Sequence, residues 1–156
     1  MDVQPQSRPD LGRLASLIDG IEIAMLTTVE RDGTLRSRPL KTLQMDADGA
    51  LWFMTSISSP KIAEIDEHRR VCLSYSRPGH ETHVSVSGVT QILRDEAKAR
   101  ALWSVELLPW LPNGMEDPEV VLLKVVVEQA EVWEHKRWQT LPLAPRGPEN
   151  EKIQPV

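Results

Sequence analysis

The sequence predicts a mainly β fold: about six strands with three helices inserted between them, the sheet curled into a closed or partly closed antiparallel barrel. Three observations lead there. Consecutive β-prone runs are joined by short acidic Gly turns, Glu30-Arg31-Asp32-Gly33 and Asp46-Ala47-Asp48-Gly49, which is how hairpins rather than parallel crossovers are connected. The longest β-prone run, from Val120 to Trp133, contains five valines in its first eight residues, Val120 to Val127. An open sheet would leave apolar edges of that length unpaired, and closure removes them.

Taken in order, residues 1–9 are polar with two prolines and read as a loose leader. Asp10 is placed to cap a short helix whose Leu11, Leu14, Ala15 and Ile18 form one apolar stripe, with Gly20 as its stop. Residues 21–29 are a strand and roughly 34–46 its return. Residues 50–55 are the third strand of a meander, followed by a helix over 61–68. A strand over 71–76 leads to the loop Arg77-Pro78-Gly79-His80. Residues 82–93 alternate in part and break at Gly88, which predicts a bulge. Asp95 caps a long helix placing Ala99, Leu102, Trp103 and Leu107 on one face, and the loop Pro109–Gly114 stops it. Trp52 and Trp103 sit in apolar patterns and read as core.

At 156 residues the chain is the size of one domain, assigned to residues 8–134. Residues 135–156, with Pro142, Pro145, Pro148 and Pro155, read as an extended or disordered tail. A net charge of −5 without a basic stripe excludes nucleic acid as an expected partner. No apolar run approaches the roughly 18 residues of a membrane-spanning helix, and the polar start lacks a signal pattern, so a cytoplasmic location is expected. The single Cys72 has no internal disulfide partner and reads as a packing thiol. His80-Glu81-Thr82-His83 lacks the spacing of a helical zinc site, and no metal is expected.

The chemistry concentrates in Trp52–Lys61. An apolar strand runs through the hydroxyls of Thr55, Ser56, Ser58 and Ser59 into a helix start, with Ser59 as N-cap and Pro60 at the first helical position. Unsatisfied first-turn N–H groups and the helix dipole favour an anion there, and Lys61 adds a full positive charge. Arg36 and Arg38 share one face of the preceding strand and Lys41 takes the other; an arginine there brings a second cation suited to a phosphate. On the residues alone, an ordinary capped helix beside a solvated strand face is the competing reading.

The ordered set Met25-Leu26-Thr27-Thr28, Asp32-Gly33, Ser37-Arg38-Pro39, Leu51–Ser56, Ser59-Pro60-Lys61, Val84–Gly88, Leu102-Trp103 and Leu122–Val125 resembles the pyridoxamine 5′-phosphate oxidase-like FMN-binding split barrels, most closely their general stress protein branch, over roughly residues 10–134. The resemblance implies a six-stranded antiparallel split β-barrel, a homodimer, and FMN at the dimer interface serving a small-molecule redox partner. It also implies roles residue by residue. Arg38 matches the arginine on the FMN phosphate. The strand from Arg38 through Pro39 and Leu40 to Leu43 matches the segment whose backbone faces the flavin. Met54 and Thr55, followed by Ser56, match the strand end beside the cofactor. Ser59 and Lys61 match the outer residues of a Ser-Arg-Lys phosphate motif, His83 falls at a glutamine that contacts FMN in the oxidases, and Trp110 resembles a loop tryptophan of the stress-protein branch. The chain departs from the oxidases at Pro60, which replaces the motif's arginine, and at Leu43, which replaces a lysine. Their C-terminal substrate motif is also missing, which argues against pyridoxamine phosphate as substrate. A flavin-dependent oxidoreductase is the expectation; a flavin sensor without turnover, or the same barrel with haem or the deazaflavin F420, are the alternatives.

Overall fold

The computed structural model describes residues 1–144. Its elements, in chain order, are β1 (Asp2–Val3), α1 (Pro9–Ile18), β2 (Ile23–Val29), β3 (Leu35–Lys41), β4 (Gln44–Met45), β5 (Leu51–Ser56), α2 (Pro60–Glu67), β6 (Arg70–Arg77), β7 (Thr82–Leu93), α3 (Glu96–Leu102), β8 (Val120–Glu134) and β9 (Arg137–Pro142). Short 3-10 turns cover Pro78–His80 and Val105–Leu107.

The expected return strand over 34–46 is two strands, and the break closes the barrel. β3 pairs antiparallel with β2, and Thr42 N–H still donates to Glu22 on that side. One residue later Leu43 N–H donates to Trp52, and β4 pairs with β5. The chain thus changes partner at Thr42–Leu43 and joins both ends of the path β4-β5-β8-β7-β6-β2-β3. The result is the mainly β, split-barrel architecture expected, but with nine strands among the described residues rather than six, because the return strand is split in two and the short β1 and the late β9 join the sheet. The pivot is locked from inside: the Thr42 and Tyr75 hydroxyls bond at 2.8 Å with both residues buried.

Alternation along β5 builds two cores. Leu51 and Phe53 enter the main cluster with Leu26, Leu40, Leu73 and Val86, joined by Leu123 and Val125 of β8. Trp52 and Met54 point the other way, into a second cluster with Leu43, Ala99, Leu107, Leu111 and Leu122. A strand covered on both faces is apolar throughout, as Leu51-Trp52-Phe53-Met54 is.

The expected break in β7 is a bulge: Ser87 pairs with Gln129 but Gly88 with Val127, leaving Glu128 extra on β8. A Cβ at Gly88 would lie 2.5 Å from the Val126 carbonyl oxygen, so only glycine lets the strands meet there. At the β4–β5 turn Gly49 has φ +85°, a conformation side chains disfavour, and Asp46 Oδ1 accepts from Ala50 N–H to tighten the turn.

Four local expectations are corrected. The leader is held: β1 pairs in parallel with β4, and Gln4 N–H donates to Met45. The first helix begins two residues earlier, with Arg8 rather than Asp10 as N-cap, Pro9 fitting the first position and Asp10 in the first turn. The helix after Asp95, whose carboxylate accepts from Lys98 N–H as expected of a cap, stops at Leu102, and Leu107 reaches the second core from a separate 3-10 turn. The region from 135 onward is not wholly an appendage, because β9 pairs with β8 and Leu141 and Leu143 are buried in the main core. Residues 145–156 of that expected tail lie outside the described residues.

Candidate functional site

The site forms where the start of α2 faces β3. The Ser56–Ser59 turn is closed by Ser59 N–H donating to the Ser56 carbonyl, and Pro60 opens α2 with its fixed φ. Ser59 occupies the N-cap position, but its hydroxyl does not cap the helix. It accepts instead from Lys61 Nζ at 2.7 Å.

Lys61 is 9% exposed. No carboxylate among the described residues lies within ion-pair distance of its ammonium. Burial, reinforced by the nearby Arg38 charge and opposed by Glu64, pulls it down to about 8. A desolvated cation without a counter-charge is costly, and an incoming anion is what would relieve it.

Arg38 stands beside it, held on two sides. Its Nη1 donates to Thr28 Oγ1 at 2.7 Å and its Nη2 to Glu64 Oε2 at 2.9 Å. The Thr28 hydroxyl donates in turn to the same Glu64 oxygen. Arg36, paired with Glu30 at 3.0 Å, lies 3.8 Å from Glu64. Burial pushes the Glu64 carboxyl up, but the bonds from Thr28 and Arg38 and the charges of Arg38 and Arg36 outweigh it and hold it below the ordinary value. Neither Thr28 nor Glu64 is singled out by the sequence reading. The available signal is spacing: Glu64 stands three residues after Lys61, so both occupy neighbouring positions on α2.

The structure brings some of the expected residues together and separates others. Arg38, Ser59 and Lys61 form the cation cluster just described. Leu40 shares Arg38's face and is buried in the main core, whereas Pro39 falls on the opposite face, paired with Met25. Thr55 is buried, and the Met54 side chain is enclosed in the second core, leaving only its backbone for a ligand. The Ser56 hydroxyl is bonded to Ser58 and to Glu119 at 3.1 Å, and Ser58 donates to Glu119 at 2.8 Å. His83 is exposed on the outer sheet face, its Nδ1 3.2 Å from Ser76 Oγ. Trp110 is half-buried and packs against both cores. Lys41 points away from Arg38, as strand alternation requires, and pairs with Glu106 at 2.6 Å and Glu22 at 3.2 Å.

Elsewhere, a cleft of about 350 Å³ lies between α3 and the 115–118 loop, lined by Leu93, Ala99, Met115 and Leu122 beneath a charged rim. Its arginines are already engaged: Arg100 with Glu96 and Glu116, and Arg94 with the Pro118 carbonyl. The cluster at Lys61 is the better candidate because its charge is unbalanced. Among the described residues no group of acidic, His and Cys side chains is arranged to hold a metal ion, and no helix is long and apolar enough to cross a membrane.

The donor set fits a phosphate: one buried ammonium, one guanidinium with further N–H donors free, a hydroxyl, and the first turn of an eight-residue helix. Residues 10–143 match the family described as pyridoxamine 5′-phosphate oxidase like. No curated protein sequence matches the chain. Among solved structures, a Clostridium acetobutylicum protein related to general stress protein 26 superposes with a TM-score of 0.73 at 21% identity, over 85% of this chain and 93% of its own. A general stress FMN/FAD binding protein of Xanthomonas citri gives 0.65 at 28%, over 80% and 88%. A haem binding protein of Mycobacterium smegmatis gives 0.69 at 14%, over 87% and 59%; at that identity the likeness is one of fold alone.

Proposed function

We propose that this chain, which belongs to the pyridoxamine 5′-phosphate oxidase-like family, is a flavin-binding protein that holds the phosphate of FMN on Arg38, Ser59 and Lys61 and serves a flavin-dependent oxidoreductase reaction. The observation that carries the proposal is the buried Lys61 ammonium, which among the described residues is bonded only to Ser59 and lies beside a second cation. A phosphate dianion there replaces repulsion between Lys61 and Arg38 with charge-assisted hydrogen bonds, worth roughly 1.5–3 kcal/mol each. The X. citri FMN/FAD binding stress protein, at 28% identity, supports a flavin over other phosphate ligands.

In this reading the flavin, when bound, supplies the hydride or electron chemistry. The chain's residues bind and orient. Arg38, Lys61 and the α2 N-terminus fix the phosphate. The β3 backbone from Arg38 toward Leu43 and the Met54–Thr55 strand end are the neighbours of the ring. Ser56, His83 and Trp110 are the further contacts that the family resemblance implies, and His83, on the outer sheet face, would meet a flavin held between two copies of the chain. A homodimer is part of the proposal: Ile23, Met25 and Leu35 are exposed apolar residues on neighbouring strands β2 and β3, as an association face requires. A reducing, cytoplasmic setting suits the single Cys72.

Titration of FMN with the purified protein, followed by flavin fluorescence, tests the reading. Binding should be quenching and saturable, tighter than that of riboflavin, and weakened about tenfold or more by Arg38→Ala or Lys61→Ala. A protein that ignores FMN at high micromolar concentration refutes it. Stopped-flow reduction by NADH or NADPH separates an enzyme from a flavin sensor. The visible spectrum of the untreated protein separates flavin from haem, and competition by F420 tests the deazaflavin.

A further inference from the structure

We propose that Thr28 and Glu64 are the positioning residues of the phosphate seat, holding the Arg38 guanidinium in its binding orientation before any ligand arrives. The inference rests on the phosphate reading of Arg38 and Lys61 and extends it to two residues that need not touch the ligand.

The three side chains form a closed ring of hydrogen bonds. Arg38 Nη1 donates to Thr28, Thr28 donates to Glu64, and Arg38 Nη2 donates to the same Glu64 oxygen. The ring is enclosed: Thr28 is 1% exposed, and the side chains of Glu64 and Arg38 are 11% and 19% exposed. It joins three elements, β2, β3 and α2, so the guanidinium cannot turn without breaking bonds to both its neighbours. Arginine presents N–H donors in a rigid fork, and the two contacts leave further donors for a ligand.

Two physical effects follow. A free arginine side chain loses rotamer freedom when a ligand immobilises it, a penalty of about tenfold in affinity, and the ring removes that penalty in advance. Glu64 also lies close enough to act on both cations. It offsets the repulsion that would drive Arg38 away from Lys61 and so lets the pair assemble in the ligand-free fold.

The test compares FMN with riboflavin, which carries the same ring without the phosphate, on the full chain. Thr28→Val keeps the buried volume and removes the hydroxyl, Thr28→Ser keeps the hydroxyl, and Glu64→Gln removes the charge. Thr28→Val should weaken FMN binding about tenfold and Glu64→Gln at least fivefold, with riboflavin affinity unchanged within about twofold. Thr28→Ser should retain the wild-type preference. A merely structural role would move both ligands together. Wild-type preference for FMN in Thr28→Val or Glu64→Gln overturns the inference. So does tighter FMN binding by Glu64→Gln, which would make Glu64 a competitor of the phosphate. If the wild type shows no preference for FMN over riboflavin, the phosphate reading itself fails and takes this inference with it. Far-UV circular dichroism checks folding, and if Thr28→Val does not fold, Glu64→Gln decides.

Discussion

The Lys61 ammonium donates to the Ser59 hydroxyl at 2.7 Å, and that bond takes the side chain that would otherwise cap α2. An N-cap hydroxyl normally accepts from an N–H of the first helical turn. Here it is turned to a buried cation; with Pro60 lacking an N–H and the Ile62 N–H donating to the Ser59 carbonyl, the Lys61 N–H is the first-turn donor left for a ligand among the described residues. The anion seat is therefore assembled at some cost to the helix that bears it.

The pH dependence of stability should show that cost. Lys61 releases its proton near pH 8 in the fold, against 10.5 for an ordinary lysine. Below pH 8 the penalty of the buried charge is present in full. Between about 8 and 10.5 the unfolded chain holds more protons, so stability rises with pH. At about 1.4 kcal/mol per pKa unit the gain is at most about 3 kcal/mol. Urea unfolding of the ligand-free protein from pH 7 to 10, set against Lys61→Met, isolates it: the variant should be more stable at pH 7, with the difference shrinking toward pH 10. A constant difference would exclude a depressed lysine.

At the barrel pivot, Tyr75→Phe leaves the buried Thr42 hydroxyl without its partner. The expected loss is about 1–2 kcal/mol, read by denaturant unfolding. Burial also raises the Tyr75 phenol, so it stays protonated above pH 10 while an unfolded tyrosine ionises. Its contribution therefore falls away on the alkaline side, and Tyr75→Phe should flatten that limb.

Gly88→Ala tests the bulge. The new methyl would meet the Val126 carbonyl oxygen at 2.5 Å and Val125 Cγ1 at 2.8 Å. Because one obstacle is backbone, relief requires the strands to separate, and a loss of about 3 kcal/mol is expected. Thermal unfolding within about 1 °C of wild type would show that the β7–β8 register adapts freely.

The last strand belongs to the core. Leu141→Ala removes a side chain packed in the main cluster and should cost about 3 kcal/mol. Truncation after Glu134 removes β9 altogether and bares the β8 residues it pairs with, from Gln129 to Glu134. Such an edge invites intermolecular pairing, so the truncated chain should aggregate in light scattering where the full chain does not. A monodisperse truncated protein of undiminished stability would place β9 outside the folding unit.

Much of this was legible in the sequence because it is encoded over short windows. Alternation along β7 and β8, the Asp-Gly turns, the Gly88 break and the Asp95 cap each depend on a few consecutive residues, as does the Ser59-Pro60-Lys61 helix start. What only the tertiary structure decided are pairings between distant positions. The partner change at Thr42–Leu43, between β3 and β4, brings Glu22 and Trp52 to successive residues of the chain, and nothing in residues 34–46 alone announces it. The pairings of β1 and β9 are set by the edges they meet rather than by their own weak β signals. The same holds at the site. Arg38 and Lys61 are visible as charges on a strand and a helix start, but their inequality is not. Arg38 is balanced by Glu64 and Thr28, which register and helix packing deliver from elsewhere in the chain, whereas Lys61 is buried with the Ser59 hydroxyl as its one hydrogen-bond partner among the described residues. Local sequence placed the cations; long-range packing determined which of them still needs an anion.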